Sequence, residues 1–171
     1  AALVPLGLIL VGRVAFAAGV LPDRAAVASA HPLASQAGAE ILANGGNAFD
    51  AAVAVSAALG VVEPAGSGLG GGGFFLLHRE TDGMKVMIDG REVAPSAAEA
   101  DMYLDANGDP IIRASRDGPL AAGIPGLPAA LVYLAEHYGR LSLEESLQPA
   151  IRYARGGYRA DASMSRGLAR R

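Results

Sequence analysis

Apolar residues recur along the chain with two different periods, and the change from one to the other divides it into elements. Leu33, Ala37 and Ile41 lie four apart, the spacing of one helix face, and Asn44-Gly45-Gly46 stops that run. Asn47 then caps a second helix, with Asp50 three residues on, where a carboxylate neutralises the positive end of the helix dipole. This helix, about Ala48 to Leu59, is apolar nearly all round, so it must be buried on most sides. Val61-Val62-Glu63-Pro64 ends it, and a glycine-dense loop runs from Gly66 to Gly73. The period then shortens: Phe74 to Leu77 reads as a strand, Thr81-Asp82-Gly83 as a turn, and Met84 to Asp89 as the partner strand. Tyr103 to Asp117 is rich in Asp, Asn, Gly and Pro and reads as loop or a short hairpin. Pro125 or Pro128 opens a helix that runs to Tyr138 and stops at Gly139. Ser142 and Glu145 form a capping box for a last helix, about Leu143 to Arg155, closed by Gly156-Gly157. The order of helices, hairpin, helices predicts a mixed α and β fold with helices layered on a sheet.

Composition narrows this picture in three ways. At 171 residues the chain suffices for one domain. Its apolar half is mostly Ala, Val and Leu, and with 23 Gly and no Trp it calls for tight turns and close helix packing rather than an aromatic core. A net charge of −3 with interspersed signs gives no reason to expect a nucleic-acid partner. Arg152, Arg155, Arg159, Arg166, Arg170 and Arg171 cluster towards the C-terminus and read as a solvated helix face. The absence of Cys excludes disulfides, thiolate metal ligands and thiol nucleophiles. Leu3 to Val11 is an apolar run of signal-peptide length, too short for a stable membrane span, and Ala15-Phe16-Ala17 supplies a small–x–small cleavage pattern. Residues 1–24 are therefore expected to be signal peptide and leader, implying a periplasmic or secreted protein; the competing reading is a buried N-terminal helix.

Candidate chemistry is sparse. The glycine cluster matches G-x-G-x-x-G at Gly66/Gly68/Gly71 and again at Gly68/Gly70/Gly73, but a dinucleotide site needs strand, glycines, then a helix whose N-terminus holds the pyrophosphate. Here the order is helix, glycines, strand. The structural reading is preferred: Gly70, Gly71, Gly72 and Gly73 let a strand start approach other backbone without Cβ obstruction. Arg91 follows a predicted strand and precedes Glu92-Val93-Ala94-Pro95, a place where a guanidinium can be held still for a carboxylate. Glu92 would orient it or a neighbouring backbone group; the alternative is a structural Arg–acid ion pair near the surface. His31, His78 and His137 show no ligand spacing, which argues against a metal site. Ser56, Ser67 and Ser96 lack a nucleophile-elbow context.

An ordered set of segments nevertheless resembles the γ-glutamyltransferase (γ-glutamyltranspeptidase, or glutathione hydrolase) family, at the N-terminal part of its large subunit. The set comprises His31-Pro32-Leu33-Ala34-Ser35, Gly45-Gly46-Asn47-Ala48-Phe49-Asp50-Ala51-Ala52, Val62-Glu63-Pro64 and Ser67-Gly68-Leu69-Gly70-Gly71-Gly72-Gly73-Phe74. It continues through Asp89-Gly90-Arg91-Glu92-Val93-Ala94-Pro95, Asp101-Met102-Tyr103-Leu104, Ser115-Arg116-Asp117-Gly118-Pro119-Leu120 and Gly123-Ile124-Pro125-Gly126. Gly90 stands where many members carry a bulkier, often aromatic residue, and Ala65 and Gly66 where His or Ser is more usual.

The resemblance covers about residues 25–171. It implies an α+β N-terminal nucleophile hydrolase fold, an αββα sandwich present here only in part, as a helical layer and the first strands. It implies a precursor that cleaves itself, exposing a Thr on the small subunit that attacks γ-glutamyl amides such as glutathione. Water, an amino acid or a peptide then takes the acyl group, with no metal or organic cofactor. On this resemblance Arg91 clamps the α-carboxylate of the γ-glutamyl donor and Glu92 supports it. No residue of this chain matches the nucleophile, since its only Thr is Thr81. Two alternatives remain: a related amidase such as a cephalosporin acylase or polyglutamate hydrolase, or a non-catalytic fragment.

Overall fold

The computed structural model describes residues 25–168. The expected leader, and Arg170 and Arg171, lie outside the described residues. Seven elements follow in order: helices α1 (Pro32–Ala43) and α2 (Ala48–Val62), strands β1 (Gly73–Arg79) and β2 (Met84–Gly90), then helices α3 (Leu127–Tyr138), α4 (Leu143–Gly156) and α5 (Ala162–Leu168). A single 3₁₀ turn, Pro119–Ala121, interrupts the long connection before α3.

Each boundary has a local cause. His31 caps α1, its Nδ1 accepting the Leu33 N–H at 3.1 Å, and Pro32 occupies the first turn, where its missing N–H costs nothing. Gly45, at φ 92°, reverses the chain after α1. Asn47 and Asp50 then form a reciprocal capping box at the start of α2. That helix runs three residues past the expected Leu59, because the Glu63 N–H still donates to the Leu59 carbonyl at 2.8 Å and only Pro64 stops the turn. α3 begins at Leu127, so Pro128 and not Pro125 sits in its first turn. Ser142 and Glu145 complete the capping box of α4, which carries the buried Pro149 without breaking. α5 is an addition to the expected elements: its seven residues are too few for a periodic signal.

α2 lies at the centre of the helices. Ala34, Ala37, Ala57, Ala58 and Val62 form one core cluster with Ala150 of α4. Small residues are required where α1 crosses α2: a Cβ on Gly38 would lie 2.7 Å from Val55 Cγ2. A second cluster joins Phe49 and Val53 of α2 to Leu77 of β1 and to Leu127, Leu131 and Leu134 of α3. The two strands pair antiparallel from Gly73↔Gly90 to Arg79↔Met84. Alternation puts Phe75, Leu77 and Ile88 on the face that meets this cluster and leaves Phe74, Leu76 and Met87 on the opposite, exposed face. Of the C-terminal arginines, Arg152, Arg155, Arg159 and Arg166 are exposed, and Arg152 bonds both carboxylate oxygens of Glu40, at 2.6 and 2.5 Å, which ties α4 to α1 at the surface.

The connection between β2 and α3 is mostly turns. Within it the expected loop or short hairpin is a loop closed by an isolated bridge, Leu104↔Pro110. A second bridge, Val93↔Ile124, returns the chain to the end of β2.

Candidate functional site

Arg91 and Glu92 follow the last residue of β2, and two glycine segments press on their backbone. The first is the glycine loop: a Cβ on Gly72 would lie 2.5 Å from the Arg91 Cα, 2.7 Å from the Gly90 carbonyl oxygen and 2.8 Å from the Glu92 nitrogen. The second segment is that of Gly126, the residue capping α3, where an added Cβ would overlap the carbonyl oxygens of both Arg91 and Gly90. The Leu127 N–H donates to the Gly71 carbonyl at 3.1 Å, so the two segments are bonded to each other. The Val93↔Ile124 bridge, at 3.2 and 2.9 Å, pins the next residues. Upstream, the Arg91 N–H donates to Asp89 Oδ1 at 3.0 Å.

The side chains diverge from this fixed backbone. The Arg91 guanidinium carbon lies 5.8 Å from the centre of the Phe74 ring, within reach of a cation–π contact, and forms no ion pair among the described residues. Glu92 turns the other way, its carboxylate 3.3 Å from where a Cβ on Gly71 would sit. It lines a cavity of about 500 Å³ whose wall is the Gly66–Phe74 loop, with Ser56, Leu59 and Leu127 closing it. Arg91 and Glu92 share no side-chain bond, so Glu92 does not orient the guanidinium directly. The surface ion pair considered for Arg91 is likewise absent among the described residues.

The glycines differ in what surrounds them. Gly72 admits no Cβ and Gly71 faces Glu92, whereas Gly73 meets only Leu127 Cδ1 at 3.9 Å and Gly70 has open space around it. Gly90 is also tightly held: a Cβ there would lie 2.6 Å from the Ala130 Cβ of α3, which leaves no room for a bulkier residue before Arg91 in this chain. Gly126 was not legible as a site residue, because its partner lies across the fold; the only sequence signal was its place in the Gly123–Gly126 segment.

The remaining candidates have local duties. Ser67 Oγ donates to Glu63 Oε2 at 3.0 Å. His31 caps α1, His78 lies 2.9 Å from Glu80, and His137 stacks on Tyr133 with ring centres 3.9 Å apart. No cluster of three metal-ligating side chains occurs among the described residues.

Residues 34–171 match the sequence profile described as gamma-glutamyltranspeptidase. The chain belongs to the γ-glutamyltranspeptidase family. It is 47% identical over 132 residues to a glutathione hydrolase proenzyme of Pseudomonas sp. (strain A14), covering 77% of this chain and 23% of that protein. Among solved structures it is similar to the γ-glutamyltranspeptidase of Helicobacter pylori, with a TM-score of 0.83 and 41% identity over 88% of this chain and 43% of that one. A cephalosporin acylase from Bacillus halodurans is more distant, with a TM-score of 0.66 and 34% identity over 86% of this chain and 28% of that one. The chain thus spans about a quarter of the length of the curated relatives it matches. Its helices and hairpin are part of the N-terminal nucleophile hydrolase fold of this γ-glutamyltranspeptidase family.

Proposed function

We propose that the chain is the N-terminal portion of an exported γ-glutamyl-transferring hydrolase, in which Arg91 binds the α-carboxylate of glutathione or another γ-glutamyl donor. The observation that carries this reading is a guanidinium without a carboxylate partner among the described residues, on a backbone that two glycines hold in place. The glycines fix where the Arg91 side chain starts, so the backbone part of the ordering that binding requires precedes the ligand. A fork of parallel N–H donors matches a carboxylate in two bonds, and fixing that end of the donor holds its distal amide in register for attack.

The attacking group is a Thr of a small subunit released from the same precursor, so residues 1–171 alone do not turn over substrate. An amino acid, a peptide or water accepts the acyl group, and no metal or organic cofactor takes part. Glu92, facing the glycine-walled cavity, supports the site through the loop and not through the guanidinium. Export is supported by the apolar run Leu3–Val11 and the Ala15-Phe16-Ala17 pattern. The cephalosporin acylase likeness favours a second reading, the same amide chemistry on another acyl donor.

The decisive experiment replaces Arg91 in the full-length gene product. Arg91→Ala is expected to lower kcat/KM for glutathione by roughly 2–5 kcal/mol in barrier terms, chiefly through donor binding, with Arg91→Lys intermediate. Unchanged glutathione kinetics in Arg91→Ala would sink the donor assignment. A loss seen with a cephalosporin side-chain amide but not with glutathione would instead establish the second reading.

A further inference from the structure

We infer that Gly126, together with Gly72 and Phe74, is a positioning residue for the Arg91 guanidinium; the inference rests on the reading of Arg91 as the donor-carboxylate site. Three independent observations converge on Arg91. Gly126 and Gly72 come from different parts of the chain and both press on the Gly90–Arg91 backbone, and neither has room for a single methyl group beside it. Their segments are joined by the Leu127–Gly71 hydrogen bond, so one cannot retreat without pulling the other. Backbone packed this closely cannot relax around an added Cβ as the end of a flexible side chain would, so the displacement passes to Arg91.

Fixing the Cα leaves the Arg torsions free, and Phe74 addresses those. Its ring lies on the exposed face of β1, 57% accessible, with the Arg91 guanidinium carbon 5.8 Å from its centre. Its π face favours one location of the cation at modest energy. The arrangement therefore has two levels: the glycines set where Arg91 starts and the ring limits where its charge ends.

A double-mutant cycle in the full-length enzyme tests this. Gly126→Ala is expected to reduce kcat/KM for the γ-glutamyl donor by about tenfold or more, through KM more than kcat, as sub-ångström to ångström misplacement of a binding group does. Phe74→Leu is expected to cost about two- to fivefold in donor KM, with Phe74→Tyr close to the parent. In an Arg91→Ala background both effects on donor KM should vanish, which a purely structural role would not produce. If Arg91→Ala depresses donor use but Gly126→Ala and Phe74→Leu act equally in both backgrounds, the positioning role is overturned and the carboxylate reading stands. If Arg91→Ala leaves donor use intact, both fall together. Should Gly126→Ala yield no folded enzyme, the Phe74 cycle decides alone, read as the coupling between Phe74→Leu and Arg91→Ala on donor KM.

Discussion

Asp50 shows how much one residue can connect. It is fully buried, and its carboxylate accepts the Asn47 N–H at 2.8 Å and the Arg140 N–H at 3.0 Å, with the Leu141 N–H at 3.4 Å. Asn47 adds a bond from Nδ2 to the Tyr138 carbonyl at 2.7 Å. One short acidic side chain thus closes the start of α2 and holds the turn between α3 and α4 against it. Gly139 is required beside it, since a Cβ there would overlap Asp50 Oδ1. Asp50→Ala leaves several buried N–H donors unpaired and is expected to destabilise the fold by about 3 kcal/mol, measured by chemical denaturation. Asp50→Asn, which keeps the volume and one acceptor oxygen, should cost less; equal losses would mean that the charged carboxylate with both its oxygens, and not the side-chain volume, carries the effect.

The elements respond to pH through their caps. Hydrogen bonds from the Ser142 hydroxyl and backbone N–H hold Glu145 below the usual carboxylate range. A folded-state pKa that is depressed contributes stability above the unfolded-state value, and that contribution disappears as pH falls through the folded one. The start of α4 should therefore loosen on acidification within and below the ordinary Glu range. The difference in stability between the parent and Glu145→Gln, followed against pH, should shrink to zero at the acid end; a difference independent of pH would refute the capping role. In the hairpin turn, Asp82 is held down to about 2 by its bonds to Arg79 and the Met84 N–H, so that contact should persist to lower pH than the α4 cap.

At the scale of the molecule, the two sheet faces differ in what they meet. Phe75, Leu77 and Ile88 pack on α3 and α2, while Phe74, Leu76 and Met87 face outward, Leu76 with 83% of its surface accessible. Antiparallel strands in water usually carry polar residues on that side. A 171-residue chain expressed alone is therefore expected to self-associate and bind a hydrophobic dye, and Leu76→Lys should reduce both while leaving the helical circular dichroism unchanged. Dye binding unaffected by Leu76→Lys would place the sticky surface elsewhere, for instance at Ile111 and Ile112 in the long connection.

Local chemistry determined most of the elements without reference to the fold. Asn47 with Asp50 and Ser142 with Glu145 announce helix starts because a cap is satisfied within four residues. Thr81-Asp82-Gly83 announces a turn because Gly83 takes φ 68° at no steric cost. The all-apolar α2 announces its own burial, and the ordered segments around Arg91 carried the family, its fold and its candidate site residue. What the sequence could not rank were partners far apart along the chain. It treated four glycines alike, whereas Gly72 is enclosed and Gly70 is open. It assigned Asp50 to a helix dipole, whereas the carboxylate also binds the Arg140 and Leu141 N–H groups. It placed Glu92 behind Arg91, whereas the Glu92 carboxylate lies against the glycine loop and shares no bond with the guanidinium. Gly126 beside Arg91 was decided only by the tertiary structure, because close approach of two backbones depends on where α3 lands on the hairpin, and no spacing within either segment encodes that distance.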